Sequence, residues 1–328
     1  MEELLPFETV TRDILTKKES ITNHNYGCRP EERATKQLIQ YGFINLNKPQ
    51  GPNSHLVADY VKRILNIDKV GHGGTLDPNV TGVLPIALGR ATRLTNVLLT
   101  AGKEYICLMH LHKKIAEPVI KRSFNEFIGK VQQMPPLKSA VKRQLREREV
   151  YYIHILETKG QDILFKIGCQ AGTYIRKICH DYGKLVGAGA HMAELIRTKA
   201  GPFNSSNWIT LHDLKDAFEL YKEGNEAPIR KVILNVEAGI EHIPKIWVLD
   251  SAVDSLCHGA NLSMPGISRL HSGINANDAV AVMTLKDELI CLGKARLSTQ
   301  GMLQNDREIA VSTTKVFMER LIYPTFKK

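Results

Sequence analysis

Asp77 is the side chain of this sequence whose neighbours best prepare it for chemistry. Pro78 disfavours the helical region for the residue before it, so Asp77 is expected in an extended conformation. Gly73 and Gly74 free the backbone just upstream and leave room for a ligand. A carboxylate is thereby held at a fixed angle over a floor of small residues. The same Asp-Pro pair also reads as an ordinary turn in a loop, and the residues alone leave both readings open. Competing chemistries fail on their motifs. Residues 71–74 (GHGG) lack the GK[ST] ending of a phosphate loop, and residues 187–189 (GAG) lack the third glycine of a dinucleotide fingerprint. There is no HExxH, no GxSxG and no zinc-type cysteine set, so neither a metal nor a nucleotide cofactor is expected.

The stretch that carries Asp77, residues 70–95 (VGHGGTLDPNVTGVLPIALGRATRLT), is too long and irregular to be a mere connection. Before it, 42–46 (GFINL) reads as a strand closed by a turn, and Ser54 is expected to cap a helix with Val57, Val61, Ile64 and Leu65 on one face. After it, 104–112 alternates as a strand with Tyr105, Cys107, Met109 and Leu111 on one side. The stripe Phe124, Phe127, Ile128 and Val131 predicts a helix, and 150–158 with 163–169 predicts a β-hairpin. Ile175, Ile178, Cys179 and Tyr182 then predict an amphipathic helix with Arg176 near its N-terminus. A strand over 191–199 and helices over 212–221 and 229–240 follow. From Pro244 the texture changes to short β runs at 245–248, 279–283 and 289–295, so a domain boundary is placed near 243. Residues 1–40 are too polar for a core of their own and read as an arm draped over a domain.

The 328 residues carry 44 Lys or Arg against 34 Asp or Glu, and with 43% hydrophobic residues the chain is an ordinary folded protein. Its +10 net charge points toward a nucleic-acid partner, and half of that surplus falls in residues 121–150, where eight Lys or Arg face three Glu. No apolar run is long enough to span a membrane, and acids stand at the N-terminus where a secretory signal carries bases. A soluble, non-exported protein is expected, with its six cysteines reduced and mostly buried.

GHGGTLDPNVTGVLPIALGRAT resembles the signature of the TruB/dyskerin class of RNA pseudouridine synthases. GFINLNKPQGPNSH, GKEYIC, AGTYIRKICHDYG and AHMAELIRTKAGPF are similar to its further motifs, and 244–323 resembles a PUA module. The resemblance implies an α+β pseudouridine synthase fold, a mixed and largely antiparallel sheet flanked by helices, with a small mostly-β PUA domain. It divides the chain into an arm (1–40) packing on the PUA domain, a catalytic domain (41–243) and the PUA domain (244–328). By family position Asp77 is the nucleophile, Arg176 its charged partner and Tyr105 the stacking platform for the flipped base. Lys48, Pro49, His72 and Leu195 belong to the pocket, His72 as a structural spacer, and no cofactor or metal takes part.

MPPLKSAVKRQLREREVYYIHILE runs straight from a basic segment into a strand, which resembles the guide-RNA-dependent H/ACA branch rather than the stand-alone bacterial tRNA enzymes. That branch implies a guide RNA and a target RNA. Its protein partners would be a small zinc-ribbon protein, a glycine/arginine-rich-family barrel protein and a kink-turn-binding ribosomal protein. The location would be cytoplasmic in the archaeal form and nucleolar in the eukaryotic one. Lys138, Lys142, Arg143, Arg146, Arg148 and Arg197 are the expected RNA contacts of the catalytic domain, and Gly259, Ala260, Pro265 and Gly266 those of the PUA loop. Ile196 departs from the usual ELRR, leaving Arg197 as the single cation there, and Gly73 replaces a more usual Ser or Thr. A stand-alone tRNA synthase and a non-catalytic RNA scaffold are the alternatives.

Overall fold

The computed structural model describes residues 4–134 and 144–326. The chain divides into two compact units, one holding the segment up to Thr9 together with Phe43–Ile233, the other Val10–Gly42 together with Leu234 onward. The segment expected as one arm is thus shared between the units, and 234–243 lies with the second.

In the first unit the strands run in the order Gly42–Lys48, Thr81–Leu88, Ala190–Ala200, Lys103–Leu111, Asp162–Cys169, Arg146–Lys159 and Gly129–Gln133. Among these, one pairing is parallel, Thr81 and Gly82 with Ile196 and Arg197, so the sheet is mixed and largely antiparallel, as expected. The hairpin Arg146–Lys159 with Asp162–Cys169 closes where Gly160 takes φ +65°. Alternation works as the sequence implies: Cys107, Met109 and Leu111 are buried. Helices Glu117–Phe124 and Ile175–Leu185 bring Ile120, Phe124, Ile178, Cys179 and Tyr182 into the same core, where Phe124 stacks on Tyr182 at 4.4 Å and meets Phe165 at 5.0 Å.

The strand Thr81–Leu88 has two different neighbours on one side. Its start pairs with Ala190–Ala200 and its end with Val70–His72, so the sheet splits between them. Inside the split, the Val83 carbonyl accepts from Arg197 Nε (2.7 Å) and the Pro85 carbonyl from the Gly73 amide (2.8 Å). Pro85, which has no N–H to give, is tolerated in a buried strand where the regular ladder is interrupted. At the edge of the split the two backbones come very close. A Cβ on Gly82, whose φ is +103°, would stand 2.2 Å from the Arg197 carbonyl oxygen and 2.7 Å from its nitrogen. Gly82→Ala is therefore expected to destabilise the first unit by about 3 kcal/mol or more, read as a lowered urea midpoint.

Three local expectations are corrected. Ser54 does not cap its helix: Asn53 does, accepting from the Leu56 amide at 2.9 Å, and Ser54 is the first helical residue of Ser54–Leu65. Asn53 has the longer side chain reaching back over the first turn, which frees the Ser54 hydroxyl for another task. The helix expected through Val131 stops at Phe124. A short 3-10 turn, Asn125–Phe127, leads to Gly129 at φ +92°, and Gly129–Gln133 is a strand. The helix expected over 229–240 is Ala227–Val232, followed by Leu234–Asn235 and a 3-10 turn, Val236–Ile240, because the β-branched pair Val232-Ile233 favours extended backbone.

In the second unit a sheet runs in the order Ile14–Thr16, Ile267–His271, Lys245–Val248, Ala279–Met283, Leu289–Ala295, Ile309–Val316 and Leu262–Ser263, and helix Asp250–Cys257 closes its core. The three strands read from the sequence after Pro244 have the bounds expected. The edge strand Ile14–Thr16 is antiparallel to Ile267–His271. Arg33 anchors the same N-terminal segment through a bidentate, buried ion pair with Glu237 at 2.6 and 2.7 Å.

Candidate active site

Asp77 is held by its neighbours rather than by its own side chain. Immediately before it, Leu76 is gripped on both sides by Ser54, whose hydroxyl accepts from the Leu76 amide (2.8 Å) and donates to the Leu76 carbonyl (3.1 Å). Immediately after it, the Pro78 carbonyl accepts from Lys48 Nζ (3.0 Å) and the Gly51 amide (2.9 Å). The Asp77 carbonyl itself accepts from the Val80 amide at 3.0 Å, closing a tight turn. Lys48 is fully buried, and its ammonium also donates to the Pro49 carbonyl at 2.7 Å. Burial lowers the Lys48 pKa and Asp77 raises it. Lys48 and Pro49 thus form the support beneath the loop.

With its backbone pinned, Asp77 presents its carboxylate outward and meets the guanidinium of Arg176 in an ion pair. Both side chains are more than half exposed, so the pair is weakly held in the free protein. The helix that carries Arg176 is fixed at its start by Gln133, buried on the neighbouring strand. Gln133 Oε1 accepts from the Tyr174 amide (2.9 Å) and its Nε2 donates to the Tyr174 carbonyl (3.2 Å). No sequence signal pointed to Gln133, because its role depends on a contact across the fold.

Tyr105 and Leu195 occupy adjacent strands. The register pairs Tyr105 with Arg197 and Cys107 with Leu195 across Lys103–Leu111 and Ala190–Ala200, and Leu195 is buried. Burial is the chief reason the Tyr105 phenol is raised above its ordinary pKa, while the nearby Arg197 guanidinium pulls the other way. Arg197 is not a surface cation. It is 1% exposed, and its guanidinium lies in the split of the sheet. The expectation of an RNA contact there is corrected: the parallel pairing with Gly82 turns Arg197 inward, and its neighbour Ile196 is the partly exposed one.

His72 borders a cavity of about 410 Å³ together with His55, Asp59, Lys62 and Thr92. Both of its ring nitrogens are buried without a hydrogen-bond partner, and its ring packs edge-on against His55 at 4.8 Å. Burial pushes its pKa from 6.5 down to about 4, helped by His55 and Arg197. Folding therefore keeps His72 neutral. The unfolded chain takes up a proton below pH 6.5, so this contribution to stability is complete above that pH and is lost as pH falls toward 4. In His72→Phe the decline in the unfolding midpoint between pH 6.5 and 4, followed by Trp208 fluorescence, is expected to be shallower than in the natural chain.

The remaining expected RNA contacts divide. Lys138, Lys142 and Arg143 lie outside the described residues. Arg146 and Arg148 are half-buried on the strand Arg146–Lys159, and Arg148 donates to the Glu147 carbonyl at 2.7 Å while packing against Gly172. In the second unit Gly259 and Ala260 are exposed after the helix Asp250–Cys257, and Pro265 is exposed in the 3-10 turn Met264–Gly266 that follows the strand Leu262–Ser263. Gly266 is buried, facing Leu262 and Ala252, which corrects its assignment as a contact residue. Among the described residues no cluster of His, Cys, Asp and Glu has the arrangement of a metal site.

A pinned, outward-facing carboxylate paired with an arginine, beside a tyrosine on a mixed sheet, is the arrangement that the sequence resemblance requires, and comparison with known proteins bears out the class. The profile of the TruB family pseudouridylate synthase N-terminal domain matches residues 62–175, that of the tRNA pseudouridylate synthase B C-terminal domain 176–241, and that of the PUA domain 244–317. A DKCLD domain profile matches 4–58. The chain belongs to the TruB family of pseudouridylate synthases. It is 54% identical to the probable tRNA pseudouridine synthase B of Methanopyrus kandleri, covering 98% of this chain and 95% of that one, and 53% identical to the Pyrococcus abyssi protein of the same name over 99% and 98%. Among solved structures it is similar to a chain of a Cbf5-Nop10-Gar1 complex, with TM-score 0.94, 52% identity and 99% of both chains covered. A chain of an H/ACA RNP bound to a substrate RNA containing 2′-deoxyuridine gives TM-score 0.92 and 50% identity over 98% of this chain and 99% of that one.

Proposed function

We propose that this chain isomerises specific uridines of RNA to pseudouridine as the catalytic subunit of an H/ACA guide ribonucleoprotein. The observation that carries the proposal is the near-complete likeness to chains solved within H/ACA assemblies, together with the Asp77–Arg176 pair. The relatives were solved with Nop10, with Gar1 and with a substrate RNA, so counterparts of these are the proposed partners, along with the kink-turn-binding protein that the resemblance implies.

The reaction breaks the bond from C1′ to N1 and joins C1′ to C5, while a proton leaves C5 and one is gained at N1, so nothing is added overall. A base inside a duplex is out of reach, and the uridine must be flipped into the site. Tyr105 supplies the stacking face, a contact worth about 1 to 3 kcal/mol per base. Asp77 either attacks C1′ or removes the C2′ proton, and Arg176 holds it in direction for that step. Retaining glycosidases work with two carboxylates about 5 to 5.5 Å apart to activate water; here Asp77 serves alone, as suits a base that never leaves the site.

A second reading, a stand-alone enzyme acting on tRNA, is favoured by the names of the 52–54% identical relatives. One experiment separates the two. The purified chain is assayed for pseudouridine in a tRNA and in a guide-matched target, with and without guide RNA and partner proteins. Product confined to the guided target is the expected result, whereas product in tRNA without a guide supports the second reading.

A further inference from the structure

Arg197 is a buried cation with no carboxylate partner among the described residues. Its burial lowers its pKa, and Lys103, which feels its charge, is of like sign. An arginine in such a place is costly unless its donors are all used. Here they reach three separate pieces of the fold. Nε donates to the Val83 carbonyl at 2.7 Å on the strand Thr81–Leu88, and a terminal nitrogen donates to the Gly74 carbonyl at 3.0 Å, three residues before Asp77. Across the register Arg197 also stands opposite Tyr105, its cross-strand partner, near enough for the guanidinium to pull on the phenol. An apolar side chain could fill the same split in the sheet, but it could not hold a carbonyl of the Asp77 loop while standing opposite Tyr105.

We propose that Arg197 is a positioning residue, which ties the Tyr105 ring to the loop bearing Asp77 so that the stacked uracil and the carboxylate keep one spacing. The inference rests on the functional reading above and adds a residue to it. Near-attack geometry is sensitive to displacements on the order of 1 Å, so slack in this link appears in the chemical step rather than in RNA affinity.

The test is a double-mutant cycle on the full chain in the assembled guided particle, with Tyr105→Phe, Arg197→Lys and the double variant, measuring single-turnover rate and target RNA Kd separately. Each single substitution is expected to slow the chemical step about tenfold while Kd stays within about threefold, and the double variant to be no more than about twofold slower than the slower single. Multiplicative losses, or a loss confined to Kd, overturn the proposal. Should Arg197→Lys fail to fold by thermal melt, Tyr105→Phe decides alone: it keeps the ring and removes only the hydroxyl, so a natural rate in that variant refutes the link. A natural chain that forms no pseudouridine in any arm fails the functional reading itself, an outcome distinct from additivity among active variants.

Discussion

Asp77→Asn is expected to abolish pseudouridine formation while leaving RNA binding within a few fold. The amide keeps the shape of the side chain and the backbone grips on Leu76 and Pro78, none of which involves the Asp77 carboxylate. What it loses is the charge that faces Arg176 and the oxygen proposed to react. Loss of a covalent or proton-abstracting group costs several orders of magnitude in rate, on the order of 10⁴ or more where residues act as a unit. A Glu substitution is expected to fare little better, since one extra methylene moves the carboxylate by about 1 Å from a position set by the turn Asp77 to Val80. The measurement is pseudouridine yield under single-turnover conditions beside a binding isotherm for the same RNA.

The second large effect is on stability. Arg33 and Glu237 are both buried, and Glu237 Oε1 also accepts from the Leu289 amide at 3.0 Å, so the pair is bound into the backbone of the second unit. Arg33→Ala strands a buried carboxylate and is expected to cost about 3 to 5 kcal/mol, whereas Arg33→Met with Glu237→Leu removes both charges and is expected to recover most of that loss. With Trp208→Phe in the background, Trp247 in the second unit reports the transition alone, and its urea midpoint gives the comparison. Equal midpoints for the single and double variants would show that the stranded charge is not what costs stability.

How far the molecule could be read from its residues depended on the range of each interaction. Period-two alternation placed Tyr105, Cys107, Met109 and Leu111 on their strand because Cys107, Met109 and Leu111 are buried while Ile106, Leu108 and His110 between them are only partly so. The loop chemistry of Asp77-Pro78 was legible for the same reason: Pro and Gly act on the residues beside them. Arg197 was misread because its inward orientation comes from a parallel pairing with Gly82, more than a hundred residues away in sequence, whereas the likeness of residues 194–197 (ELIR) to the family's ELRR motif suggested a cation facing RNA. Ser54 was misread by one position. Its own type fits a cap, but Asn53 takes that place and Ser54 serves Leu76 instead, a contact that no local pattern contains. Glycines at 82 and 129 carried information that periodicity overlooked, since both have φ in the left-handed region and both mark where a regular element gives way.

Tritium release from RNA carrying [5-³H]uridine at the guide-matched position tests the central claim most directly, because joining C1′ to C5 expels the hydrogen at C5. The assembled particle is expected to release tritium from that single uridine only when guide RNA is present, and the Asp77→Asn particle to release none. Release at an undiminished rate after loss of the Asp77 carboxylate, or its absence from the natural chain with guide and partners in place, would contradict the assignment of this site to uridine isomerisation.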